Sequence, residues 1–100
     1  MMRLTPEQQH RIREIATAML GPDASVRLFG SRTNPNARGG DIDLYFETPH
    51  TLPHRVRVEC SLYAKLIMAL GDRKIDVLLK DARTHDLPIY QAARREGVLL

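Results

Sequence analysis

Apolar residues recur along this chain at two spacings, and each change of spacing marks the end of an element. Ile12, Ile15, Ala16, Met19 and Leu20 return every three or four residues, the repeat of a helix with one buried face. Thr5-Pro6-Glu7-Gln8 supplies its start, with Thr5 as N-cap, Pro6 at the first helical position and Gln8 completing a capping box; Gly21-Pro22 ends it. His10, Arg11, Arg13 and Glu14 fall on its polar side and read as solvated surface. Residues 25–29, Ser-Val-Arg-Leu-Phe, are a short strand running into Gly30-Ser31-Arg32, and Thr33-Asn34-Pro35-Asn36-Ala37-Arg38-Gly39-Gly40 is too rich in turn formers to be regular. The spacing then drops to two. Ile42, Leu44 and Phe46 fall on one face of a strand, and Asp41, Asp43, Tyr45 and Glu47 on the other.

Thr48-Pro49-His50-Thr51-Leu52-Pro53 is a second break. Over residues 54–70 the helical repeat returns, with Val58, Leu62, Leu66 and Ala69 or Leu70 on one side, Tyr63 and Ile67 flanking, and Gly71 closing. Tyr63 and the Leu62/Leu66 stripe read as core. Lys74-Ile75-Asp76-Val77-Leu78-Leu79 is a third strand, with Asp76 on the face opposite Ile75, Val77 and Leu79. Asp86-Leu87-Pro88 reads as the cap and start of a last short helix through Ala92 and Ala93 to Glu96, ended by Gly97. Val98-Leu99-Leu100 is an apolar end that the domain or a partner chain must cover. The order is helix, strand, strand, helix, strand, helix, within a single domain spanning residues 1–100.

The acidic face of the second strand calls for an explanation. Asp41 and Asp43 stand roughly 6–7 Å apart along the pleat. At about 4 Å and an effective dielectric of about 20 two like charges repel by about 4 kcal/mol, and at this wider spacing by less. A strand gains nothing from such a pair unless a cation sits on it, and magnesium takes carboxylate oxygens while keeping room for phosphates.

Composition narrows the field. A 43% hydrophobic and 27% charged chain of 100 residues is that of an ordinary globular domain. No apolar run approaches a membrane span, Met-Met-Arg-Leu-Thr-Pro lacks a signal-peptide core, and the single cysteine, Cys60, cannot form an internal disulfide; a cytoplasmic protein is expected. The net charge of +3 suits anionic ligands such as nucleotides but is too small and scattered to argue for direct nucleic-acid binding.

If the three strands form one sheet, Asp76 joins Asp41 and Asp43 from a neighbouring strand. Three converging acids are unfavourable alone and favourable around two divalent cations, the arrangement that serves in-line displacement at phosphorus. Gly30 would let backbone approach a phosphate, Ser31 would add hydroxyl and amide donors, and Arg32 and Arg38 would neutralise the rest of a triphosphate. Lys74 shares the face of Asp76 and offers it a surface partner, but such a pair contributes little, so the metal role is favoured.

In Leu28-Phe29-Gly30-Ser31-Arg32, Gly40-Asp41-Ile42-Asp43-Leu44, Lys74-Ile75-Asp76-Val77-Leu78 and the ending Ala92-Ala93-Arg94-Arg95-Glu96-Gly97-Val98-Leu99-Leu100, the chain resembles the polymerase β-like nucleotidyltransferase superfamily, and in particular its minimal nucleotidyltransferase (MNT) branch. The Ser31-to-Asp41 loop is one residue shorter than in many members. The resemblance implies an α/β (α+β) nucleotidyltransferase fold, a small mixed β-sheet flanked by helices. It implies two Mg²⁺ ions, ATP as donor, and transfer of AMP with release of pyrophosphate. Asp41 and Asp43 would hold both metals, and Asp76 the catalytic one, helping to deprotonate the attacking hydroxyl. It also implies an antitoxin role, AMPylation of a tyrosine hydroxyl on a HEPN-type toxin partner.

Two other readings stay open: a binding module that neutralises its partner by covering it, and a transferase acting on a small molecule. Tyr45 and Glu47 read as structural. His10, His50, His54 and His85 show no metal-ligand spacing. Arg55, Arg57, Arg94 and Arg95 lack the aromatic companions of an RNA site and read as solvated faces or the rim of a protein interface. Homo- or hetero-oligomers are both compatible with the exposed end at Leu100.

Overall fold

The computed structural model describes residues 4–29, 42–71 and 73–100. Three helices, α1 (Pro6–Leu20), α2 (Arg55–Leu70) and α3 (Pro88–Glu96), surround a sheet of β1 (Ser25–Phe29), β2 (Ile42–Glu47), β3 (Ile75–Lys80) and β4 (Val98–Leu99). The strand order is β3-β2-β1-β4. β1 pairs antiparallel with β2 and with β4, while β2 and β3 are parallel. The sheet is therefore mixed and flanked by helices, as expected.

Local chemistry accounts for most boundaries. Thr5 accepts a hydrogen bond from the Gln8 amide at 3.1 Å, and the Gln8 side chain accepts from the Thr5 amide at 2.9 Å, so the capping box closes. β2 and β3 run parallel, which requires a long crossover between them, and α2 provides it. It stops at Gly71, whose φ of 82° lies in the left-handed region that glycine enters without steric cost. The last helix starts one residue later than the cap expected at Asp86. Leu87 occupies the N-cap position without a side-chain bond, and Asp86 turns instead to Arg94.

The apolar end pairs into the sheet of the domain, with Val98 and Leu100 half-buried and Leu99 left 58% exposed. Val98 and Leu99 form the short strand β4 against Leu28 and Arg27, a fourth strand that hydropathy alone does not announce. Gly97 makes the turn possible: a Cβ there would collide with the Ala93 carbonyl oxygen and lie 3.2 Å from the Leu28 oxygen.

The alternation in the strands divides the sheet cleanly. Val26, Leu28, Ile42, Leu44, Phe46, Ile75 and Leu79 face α1 and α2, packing on Ile12, Ile15, Leu20, Leu62, Leu66 and Leu70. Each such side chain, fully buried, stabilises the fold by about 1.5–3 kcal/mol. The opposite face carries Tyr45, Leu78 and Phe29, which pack against Tyr90 and Ala93 of α3. Tyr63, expected in the core, is instead 46% exposed. It lies on α2 beyond the row that meets the sheet. Among the described residues no helix is long and apolar enough to cross a membrane.

Loops at the far end of the sheet are pinned by two carboxylates. Asp23 Oδ1 lies 2.8 Å from His50 Nε2, joining the turns before β1 and after β2. Asp81, only 3% exposed, accepts from the Leu52 amide at 2.9 Å, the Arg83 amide at 3.1 Å and the Thr84 hydroxyl at 2.7 Å. Burial pushes the Asp81 carboxyl up, but these donors outweigh it and hold it below its ordinary value. A carboxyl depressed by folding stabilises the native state above its unfolded pKa and ceases to do so as the pH falls through the folded one. Asp81→Ala is expected to cost about 1–3 kcal/mol near neutral pH and progressively less in acid. Urea denaturation of both proteins across that range checks it; a gap that does not narrow on acidification contradicts the assignment.

Candidate functional site

The register of the two parallel strands brings the acids together. Asp43 of β2 is the Cα partner of Asp76 of β3, and Phe29, the last residue of β1, is the partner of Asp43 from the other side. Paired positions on neighbouring strands lie about 4.8 Å apart and present their side chains on the same face. Two carboxylates so placed oppose one another, as like charges across a ladder do. Asp43 is half-buried and Asp76 exposed. Lys74 makes no ion pair with Asp76 among the described residues, so the bland surface pairing finds no support. Both acids stand at the start of their strands, where β1 ends. The sequence continues from Phe29 directly into Gly30-Ser31, and Asp41 immediately precedes Ile42.

The expectations for Gly30, Ser31, Arg32, Arg38 and Asp41 lie outside the described residues. Within them, no group of three metal-ligating side chains is present. The chemistry of the two acids that are described nevertheless fits a divalent cation. They are hard oxygen donors on one face, on rigid strands, and one of them is exposed without a neutralising partner among the described residues.

The acidic face is bounded by a polar and aromatic wall that hydropathy does not reveal. Tyr45, next but one to Asp43, is buried beneath α3 and stacks on Tyr90 with ring centroids 5.7 Å apart. Its hydroxyl donates to Glu47 Oε1 at 2.5 Å and accepts from the Arg94 guanidinium at 3.0 Å. Arg94 also reaches Glu47 at 3.3 Å and holds both carboxylate oxygens of Asp86 at 2.7 Å. Burial, reinforced by the Glu47 carboxylate, holds the Tyr45 phenol well above its ordinary pKa, so it stays protonated. The Asp86 hydrogen bonds raise the guanidinium, and Arg94 in turn lowers the Asp86 carboxyl.

Arg94 is thus a clamp fastening α3 to the sheet rather than the solvated or rim residue expected of it. Tyr45 and Glu47 are structural, as read. Sequence alone does not show the clamp, because its partners on the sheet, Tyr45 and Glu47, lie 49 and 47 residues away. The one signal in the sequence is a tyrosine on a strand face otherwise given to acids.

Arg94→Met leaves a buried hydroxyl and two carboxylates without their shared donor and is expected to destabilise the fold by about 1–3 kcal/mol. Tyr45→Phe, which leaves Arg94 bound to Glu47 and Asp86, is expected to cost less. Thermal melting of the two variants orders them, and the reverse order contradicts the clamp.

No protein-family model matches this chain, and no curated protein matches it in sequence.

Proposed function

We propose that the chain is a Mg²⁺-dependent nucleotidyltransferase that moves AMP from ATP to a hydroxyl of a protein partner. The observation that carries this reading is the Asp43–Asp76 pairing: two carboxylates from different strands, side by side on one face, where β1 delivers the chain toward Gly30-Ser31. The order Gly-Ser, Asp-x-Asp and strand Asp, shared with the minimal nucleotidyltransferases, supports the same chemistry. Asp43 and Asp76, with Asp41 by that resemblance, would hold the metal. Bound there, magnesium would neutralise phosphate oxygens and lower the barrier to attack by an alcohol.

In the reaction the acceptor oxygen bonds to the α-phosphorus of ATP as the bond to the pyrophosphate oxygen breaks. The hydroxyl proton passes to a carboxylate, for which Asp76 is the exposed candidate, and pyrophosphate departs. Ser31, Gly30, Arg32 and Arg38 are assigned to the phosphates by sequence alone. The resemblance points to tyrosine as acceptor and to a helical HEPN-type toxin as the protein that carries it, which would make the chain an antitoxin of the cytoplasm.

The direct test is intact-mass measurement after incubation with Mg²⁺, ATP and the protein encoded beside it. A gain of one AMP on the partner is expected, with Asp43→Asn and Asp76→Asn each slowing transfer by about a hundredfold or more. Neutralisation of the partner that survives both substitutions without any mass gain sinks the enzymatic reading in favour of a covering module. AMP appearing on added small alcohols but not on the partner favours small-molecule transfer instead.

A further inference from the structure

Besides the acid pair, α2 offers an unexplained surface. Val56 is 68% exposed, Tyr63 46% and Met68 86%, and Cys60 and Ala64 are exposed between them. Scattered apolar residues on a surface need no explanation, but these are not scattered. Val56, Cys60, Ala64 and Met68 follow one another at steps of four, a ridge of the kind that packs into the groove of another helix. Tyr63 widens this seam on one side. The row spans about 18 Å of helix at 1.5 Å per residue, on the side away from Leu62, Leu66 and Leu70, which meet the sheet.

The flanks of the seam differ in charge. Arg57, Ser61 and Lys65 form a row at steps of four beside it, and among the described residues neither cation has an ion-pair partner. The opposite flank holds Glu59, already 3.6 Å from Arg55. A second copy of this chain fits poorly. Antiparallel crossing brings the same flank of each helix together, setting Arg57 and Lys65 against their own copies. Parallel crossing offers them only Glu59, which Arg55 occupies.

We infer that the exposed face of α2 is a docking surface for a partner helix, apolar along one seam and acidic along the flank that meets Arg57 and Lys65. The apolar seam supplies adhesion, and the cation row sets orientation and excludes basic partners. This interface is independent of metal and nucleotide, so it stands or falls separately from the transfer chemistry.

The test uses a fluorescein-labelled synthetic amphipathic helix of about three heptads, with leucine along its seam and glutamate along one flank, and a matched peptide with lysine on that flank. Fluorescence polarisation without Mg²⁺ or ATP is expected to show the acidic peptide binding the full chain at least about tenfold more tightly than the basic one, with the preference weakening in salt. The double substitution Arg57→Glu, Lys65→Glu is expected to reverse that preference, and Val56→Gln with Met68→Gln to abolish binding of either peptide. All four positions are solvent-facing, and melting temperatures establish that the variants fold. Equal affinity for the two peptides, a preference untouched by charge reversal, or a dimer of the chain that dissociates on Val56→Gln with Met68→Gln overturns the proposal. If the charge-reversed variant fails to fold, the glutamine pair decides: retained binding of the acidic peptide overturns it.

Discussion

The parallel pairing of β2 with β3, in the register that sets Asp43 beside Asp76, is the constraint from which the rest of the structure follows. Parallel neighbours cannot be joined by a tight turn, so a helix must cross between them. α2 does so, and its Leu62, Leu66 and Leu70 close the apolar face of the same two strands. Strand alternation then forces whatever lies between the core residues onto the opposite face. Both acids stand there because Ile42 and Ile75 must be buried. The core and the acid pair are two consequences of one register, and a shift of a single residue in either strand would destroy both.

The face that carries the acids is shared between two tasks. Beyond the acids it is covered by α3, with Tyr45 and Leu78 beneath Tyr90 and Ala93, and Phe29 of β1 extends that apolar cover alongside Asp43. Toward the starts it bears Asp43 and exposed Asp76. Arg94 fastens the covered half through Tyr45, Glu47 and Asp86, which together contain two negative groups and one hydroxyl for one cation. Acidity in the covered half is therefore partly offset from within the fold. At Asp76 the described residues offer no such cation, which is the difference expected between a structural carboxylate and one kept for an incoming charge. Like charges paired in this way cost stability, and the loss is borne by the core on the other face.

Much of this was legible in the sequence, because local chemistry and long-range structure agree there. Thr5 and Gln8 announce the first helix, Gly71 ends the second, and the alternation around Ile42, Leu44 and Phe46 sorts core from site without knowledge of the partner strand. Asp76 follows from the placement of the three strands in one sheet. What escaped has a common cause. Val98 and Leu99 are too few to show a period, and only their pairing with Leu28 and Arg27 makes them a strand. Arg94 meets Tyr45 through the fold alone. Asp86 has the chemistry of a cap, but a nearby guanidinium outcompeted the helix amides for it. Tyr63 directly follows core Leu62 in sequence, yet one step around a helix turns a residue by about 100°, enough to carry it toward the surface.

If the two carboxylates are held together against their mutual repulsion for the sake of a cation, neutralising one of them has a signature no structural residue shares. Thermal melting of the wild type and of Asp76→Asn, with and without Mg²⁺, reads it directly. In metal-free buffer Asp76→Asn is expected to melt at or above the wild-type temperature, because a like-charge pair has been relieved. Magnesium at about ten times its dissociation constant is expected to raise the wild type by several degrees, from about 1.4 kcal/mol of binding linkage, and to leave the variant nearly unmoved. A variant that melts lower without metal, yet gains as much from magnesium as the wild type, would contradict the account.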